Sequence, residues 1–276
     1  MGVAEHDLSY LRGLVYQQSA IVIEPRQDYL LEARLLPVAK EAGLADVSAL
    51  VGQLRARPAN INGLATKVVE AMTTNETTFF RDIHPFTMLK QETFPRLLES
   101  RKMKRTLDIW CGAASTGQEP YSVAMLVKES FPELATWRVK FVATDICNAV
   151  LERARTGIYK QIETNRGLPA PLLVKYFERS GADFRIREDV RKMIEFRHMN
   201  LIGAWSITAP LDIVFMRNVL IYFDVPTKKA ILKRIYDLLA PDGLLFLGGA
   251  ETTLNLEERF ERVQIDKSVA YCPKKK

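Results

Sequence analysis

The chain has 276 residues, 47% hydrophobic and 26% charged, with a formal net charge of +6, enough for one large α/β domain beside a small one. It has no apolar run long enough to span a membrane, and Met1-Gly2-Val3-Ala4-Glu5-His6-Asp7 lacks the basic-then-apolar pattern of a signal peptide. Cys111, Cys147 and Cys272 are scattered without CxxC or His/Cys spacing, which argues against a disulfide framework or a structural zinc and makes the cytoplasm the expected location.

Through residue 72 the apolar positions follow a helical period and no strand is evident. Leu8, Leu11, Leu14, Val15 and Gln18 outline one helix, and Tyr29, Leu30, Ala33, Leu36 and Ala39 a second. Val47–Arg55 and Leu64–Met72 supply two more, with Pro25 and Gly43 as punctuation. A small helical domain over 1–72 follows. It gathers Arg26, Arg34, Lys40, Arg55, Arg57 and Lys67, readable as solvated helix faces or as a surface for an acidic partner. The Lys274-Lys275-Lys276 tail carries half of the net charge and is expected to be solvated.

From Arg105 onward strands alternate with helices. Thr106–Trp110 runs into the small-residue turn Cys111-Gly112-Ala113-Ala114-Ser115-Thr116-Gly117, and the helix Tyr121–Phe131 follows. Small residues let such a turn approach a ligand closely, with free helix N–H groups facing it. Asp108, inside the strand, reads equally well as a local cap. The second strand, Val139–Thr144, ends in Asp145, where a nucleotide-binding βαβ unit keeps an acid for ribose hydroxyls; the plainer reading is a strand-terminal acid. The turn has too few glycines to cradle a pyrophosphate. It suits a nucleoside ligand without phosphates, S-adenosylmethionine first among them.

The helix Val150–Arg155 comes next. Between Phe177 and His198, Asp183-Phe184-Arg185-Ile186-Arg187 alternates with period two and Val190–His198 forms a second extended segment, which predicts a small antiparallel insertion over 177–198. Leu211–Met216, the helix Thr227–Leu239 and Gly243–Leu247 resume the alternation of a parallel, doubly wound sheet. Phe260–Ile265 and Val269–Cys272 flank Asp266-Lys267-Ser268 and predict a hairpin that closes the sheet with an antiparallel strand, where a dinucleotide dehydrogenase would carry a second βαβαβ half. His6, His84 and His198 have no metal-ligand spacing, so no metal site is expected.

Three segments, in this order and spacing, resemble the CheR family of chemotaxis-receptor glutamate O-methyltransferases. They are Thr73-Thr74-Asn75-Glu76-Thr77-Thr78-Phe79-Phe80-Arg81-Asp82, Ala113 to Ser122, and Phe215-Met216-Arg217-Asn218-Val219-Leu220-Ile221-Tyr222-Phe223-Asp224. The likeness extends to Thr144-Asp145-Ile146, Ala154 to Tyr159, Asn200-Leu201 and Leu239 to Gly243. It implies a Rossmann-like S-adenosylmethionine-dependent methyltransferase sheet with an antiparallel last strand and a small antiparallel β-insertion, over 73–276, behind an N-terminal helical domain that faces the receptor. It also implies that Asn75, Thr77 and Arg81 hold the methionine end of the cofactor with Glu119 beside them. Asp145 would take the ribose, and Asn200 and Leu201 would frame the adenine. Arg217, Asn218 and Tyr222 would line the place where cofactor meets substrate, with Arg217 and Tyr222 as the catalytic pair.

Two departures stand out. Gly248-Gly249-Ala250-Glu251 replaces the Gly-His-Ser-Glu run common in the family. The compact Ser180-Gly181-Ala182-Asp183 turn argues that binding is independent of a peptide tether at the receptor C-terminus.

Methyl transfer to a carboxylate needs no general base, because a glutamate with a reference pKa of about 4.3 is already ionised at neutral pH. Alignment and removal of water are the tasks. The planar fork of Arg217 can receive a carboxylate and Tyr222 can add a hydrogen bond. The expected product is a glutamate methyl ester on the cytoplasmic helices of a methyl-accepting chemoreceptor, made by a monomer without nucleic acid or membrane insertion. Two other readings stay open: a methyltransferase acting on RNA or a small molecule, and a cofactor-binding adaptor without catalysis.

Overall fold

The computed structural model describes residues 3–56 and 61–274; Arg57 of the basic group and Lys275 and Lys276 of the tail lie outside them. The chain divides near Thr74 into two compact units, with Tyr222–Thr227 returning to the first.

The first unit is a helical bundle: α1 (Glu5–Ser19), α2 (Asp28–Glu41), α3 (Val47–Ala56) and α4 (Ile61–Met72). The periodic leucines and valines meet inside it, with Leu11, Leu31, Leu35, Leu50 and Val68 fully buried. α1 stops at Ala20, which adopts the left-handed φ of 58° and returns its N–H to Tyr16. Asp46 starts α3 by accepting the Ala49 N–H at 2.8 Å. The returning segment is tied in by three contacts. Ile21 pairs with Phe223 in an isolated antiparallel bridge, the Val22 N–H donates to the Tyr222 carbonyl at 2.9 Å, and the Tyr16 hydroxyl donates to Asp224 at 2.7 Å.

Much of the basic charge in the bundle is used locally. Arg34 donates to the carbonyls of Met72 and Thr73, Arg55 pairs with Asp7 at 3.2 Å, and Lys67 pairs with Glu41 at 2.6 Å. Lys40 donates to the Ala45 carbonyl, and Arg26 pairs with Glu24 at the exposed start of α2.

The second unit opens with α5 (His84–Met88), a π-helical turn over Leu89–Thr93 and α6 (Phe94–Arg101). It continues with β1 (Thr106–Gly112), α7 (Gln118–Ser130), β2 (Arg138–Asp145), α8 (Asn148–Thr156), β3 (Ile158–Tyr159), α9 (Gln161–Thr164) and α10 (Ala170–Tyr176). Then come β4 (Phe177–Ser180), β5 (Asp183–Ile186), α11 (Glu188–Arg191), β6 (Glu195–His198), β7 (Leu211–Met216), α12 (Val225–Leu238), β8 (Leu239–Leu247), β9 (Phe260–Ile265) and β10 (Ser268–Pro273).

Seven strands form one sheet in the order β6-β2-β1-β7-β8-β10-β9. The first five are parallel, and the β9–β10 hairpin closes the sheet antiparallel, as its sequence pattern implied. β1 and β7 are buried along most of their length, as strands covered on both faces must be. The order reverses between β1 and β7, and in such sheets ligands bind outside the carboxyl ends of the strands at that switch point.

The insertion differs from its expected span. A three-stranded antiparallel sheet forms in the order β3-β5-β4, so it recruits Ile158–Tyr159 from before residue 177. Val190–His198 does not join it. Val190 is buried within the short helix α11, and Glu195–His198 runs parallel to β2 at the edge of the main sheet, with Phe196 buried and Glu195 exposed. A period of two announces a strand but not the sheet that takes it.

Candidate active site

The turn after β1 is built on left-handed backbone at Ala113 (φ 54°), Ser115 (51°) and Gly117 (93°). Gly117 is required there. A side chain would meet Ala154 at 3.0 Å and the Tyr121 ring at 3.1 Å, in a backbone region that L residues avoid. Two tyrosine hydroxyls brace the turn and the helix behind it: Tyr159 donates to the Thr116 carbonyl at 2.6 Å, and Tyr121 to the Ala154 carbonyl at 2.7 Å.

Asp145 is buried at the end of β2. One carboxylate oxygen accepts the Ser115 N–H at 2.8 Å and the other the Cys147 N–H at 2.9 Å. Each oxygen retains a further lone pair. Burial pushes this carboxyl above the usual range, and the backbone N–H groups of Cys147, Ser115 and Ile146 pull it partly back. The Ser115 hydroxyl donates to the Asn75 carbonyl at 2.7 Å, which ties the Asn75–Thr77 segment to the turn. Asn75 and Thr77 line a cleft of about 440 Å³ together with Thr116, Gln118, Val150 and Arg153.

Asn200 and Leu201 follow β6, beside Asp145, whose carbonyl accepts the Met199 N–H at 2.9 Å. The Asn200 side chain accepts the Ile202 N–H at 3.1 Å. The Leu201 carbonyl is pinned by the Trp205 indole at 2.9 Å and by Arg234, whose guanidinium stacks 3.7 Å over the Trp205 ring. Trp205 in turn meets Trp110 edge-on.

Arg217 leaves the end of β7 and is buried. Its guanidinium pairs with Glu119 of α7 and with Asp82 at 2.8 Å, and donates to the Arg81 carbonyl at 3.0 Å. Glu119 also accepts the Cys111 thiol at 3.4 Å, a group that burial and Glu119 itself hold protonated. The Arg81 side chain turns away and donates to the Glu76 carbonyl at 3.1 Å. Asn218 takes a left-handed φ of 57°.

The loop that Asn218 begins is held by a residue whose role the sequence did not announce. Glu251 accepts the N–H groups of Asn218 (2.7 Å), Val219 (2.9 Å), Leu220 (2.7 Å) and Gly248 (2.7 Å). A side chain at Gly248 would meet Asn218 Nδ2 at 2.6 Å, so the two loops sit back to back. The altered run thus keeps the acid that fixes the backbone after β7.

Tyr222 belongs to the first unit, is half-buried, and offers its carbonyl to Val22. The structure therefore brings together Asn75, Asp145 and the turn, and separately Glu119, Arg217, the Asp82 carboxylate and the Arg81 carbonyl. Ser115, Tyr159, Asp82 and Glu251 are added to the expected set. Among the described residues no group of three His, Cys, Asp or Glu side chains is placed to hold a metal ion. No described helix is long and apolar enough to cross a membrane.

The donor set fits S-adenosylmethionine. Asp145 keeps acceptors for ribose hydroxyls, small residues let a ligand come close to the backbone of the turn, and the half-buried carboxylate of Glu119 suits a neighbouring sulfonium cation.

Residues 6–73 match the family model of the CheR methyltransferase all-alpha domain, and residues 75–269 that of the CheR methyltransferase SAM binding domain. The chain is similar to chemotaxis protein methyltransferase 1 of Pseudomonas aeruginosa, at 36% identity over 99% of this chain and 100% of that protein. It is likewise similar to the chemotaxis protein methyltransferase of Vibrio parahaemolyticus, at 36% over 92% of each chain. The chemotaxis protein methyltransferase of Escherichia coli is 36% identical over 90% of this chain and 84% of that protein.

Proposed function

This chain belongs to the CheR methyltransferase family, an S-adenosylmethionine-dependent methyltransferase of chemotaxis, and from that premise we propose that it esterifies glutamate side chains on the cytoplasmic helices of methyl-accepting chemoreceptors. The observation that carries the reading is the match to both family models across nearly the whole chain, supported by Asp145 at the end of β2 and Arg217 just after β7, on either side of the switch point of the sheet.

S-adenosylmethionine supplies a methyl group activated by its sulfonium. The protein binds and aligns. Asn75, Thr77 and Arg81 hold the methionine end with Glu119 beside them, Asp145 takes the ribose, and Asn200 and Leu201 frame the adenine. Asn218 lines the meeting point. Arg217 and Tyr222 orient the acceptor carboxylate, which arrives ionised and needs no base. Orientation and exclusion of water account for about 7–11 kcal/mol of such a barrier. A tighter grip on the ground state would slow transfer, so the task of these contacts is to position the carboxylate.

The helical domain faces the receptor, using the exposed start of α2, and the enzyme works as a monomer in the cytoplasm. The four-residue strands β4 and β5 support independence from a receptor tether peptide.

The test is transfer of labelled methyl from S-adenosylmethionine to receptor cytoplasmic fragments, scored as methanol released by alkali. Base-labile label on the receptor is the expected result. Alkali-stable label would redirect the reading to a nitrogen acceptor, and binding of the cofactor without any transfer would redirect it to an adaptor.

A further inference from the structure

Arg217 is a buried cation with an incomplete set of partners. Its side chain is 1% exposed; Nη1 faces Glu119, and Nη2 donates to Asp82 and to the Arg81 carbonyl. Its Nε is buried without a hydrogen-bond partner. In a guanidinium, the Nε–H and one Nη2–H point in parallel and match the two oxygens of a single carboxylate. In Arg217 that fork is half used. Nη2 serves Asp82, while the adjacent Nε carries the cost of a desolvated donor left unpaired.

The two acids on Arg217 differ in how firmly they are held. Glu119 is 13% exposed and fixed in the first turn of α7, whereas the Asp82 side chain is 54% exposed. Asp82 also sits in irregular backbone, with φ of 60° there and 47° at Phe80.

We propose that Asp82 is an internal stand-in for an incoming carboxylate. It neutralises Nη2 of Arg217 in the resting protein and yields when a substrate carboxylate takes the Nε–Nη2 fork. The inference rests on the methyl-transfer reading above. Two carboxylates enter such a site, the acceptor glutamate side chain and the methionine carboxylate of the cofactor. Their recognition chemistry is the same, and the experiment separates them.

Asp82→Asn removes the charge and keeps a residue that tolerates left-handed backbone. A half-exposed ion pair is worth a factor of about five. The expected result is therefore an about five-fold lower KM for a receptor fragment, or an about five-fold lower Kd for S-adenosylhomocysteine by calorimetry. The constant that moves identifies the carboxylate, and Asp82→Glu returns it to the wild-type value. Both constants unchanged or weaker in Asp82→Asn would overturn the proposal.

A second measurement needs no variant. In wild-type protein labelled with nitrogen-15 arginine, the Arg217 Nε–H resonance shifts on adding S-adenosylhomocysteine, or only on further adding the receptor fragment. No shift with either would also overturn it. A wild-type enzyme that methylates no receptor fragment would remove the functional reading, yet the cofactor arm of both measurements would still decide whether Asp82 is displaced.

Discussion

The oxygens of Asp145 hold the turn through the Ser115 and Cys147 N–H groups, and their remaining lone pairs suit the ribose contact proposed above. Asp145→Ala is expected to raise the Kd for S-adenosylhomocysteine more than about ten-fold by calorimetry, because a lost carboxylate leaves two buried donors unpaired as well as the ribose. Tyr222→Phe should instead lower turnover with the cofactor Kd unchanged; the reverse pattern for the two variants would exchange their roles. Glu251→Ala, which strips five backbone donors of a charged acceptor, is expected to cost about 3 kcal/mol of stability and to lower turnover, read by thermal melting beside the methyl-transfer assay. The position of Asp145 at the end of β2 was legible, because a strand-terminal acid after a small-residue turn has a known geometric reason. Glu251 and Tyr159 were not, because each bonds the backbone of a segment about 30 or 40 residues away, and side-chain-to-backbone bonds of that reach leave no pattern in a sequence.

Among the elements, the alternation of strands and helices was readable as a doubly wound sheet, and the turn residues Asp266 and Lys267 marked the closing hairpin. The pairing partner of β6 was not, since Glu195–His198 lies 50 residues from its neighbour β2 and only the parallel crossover decides between the two sheets. The start of the sheet is latched to α6 by Arg101, which donates to Asp212 at 3.0 Å and pairs with Asp242. Arg101 holds the Asp242 carboxyl below its ordinary value of 3.8. A depressed carboxylate contributes stability that is present above its unfolded pKa and lost as the pH falls through the folded one. Asp242→Asn should therefore destabilise the protein by about 1 kcal/mol near neutrality, after discounting for solvent screening, and the gap to wild type should close below about pH 4 in a series of thermal melts.

For the whole molecule, the net charge of +6 favours approach of an acidic receptor bundle, although Arg34, Arg55 and Lys67 are engaged within their own unit. The KM for the receptor fragment should rise between about 0.05 and 0.3 M salt, with the cofactor KM nearly constant, as expected when screening weakens attraction between surfaces. The two units have separate cores, and the segment returning to the first contributes Phe223, which is buried and bridged to Ile21. Phe223→Ala is expected to cost about 3 kcal/mol, visible as a lower melting temperature of the full chain.

Tyr222–Thr227 also bears on how the polypeptide is made and exchanged. The four helices are synthesised by Met72, yet the segment that finishes their unit emerges 150 residues later, at Tyr222 (222 − 72). On the ribosome the segment that completes the unit is therefore made only after β1, β2, β6 and β7 of the main sheet. For the same reason residues 3–72 are not an interchangeable cassette. A graft of the helices onto another sheet would leave Ile21 and Val22 without the strand-like partner that Phe223 and Tyr222 provide, unless the loop after β7 travelled with them.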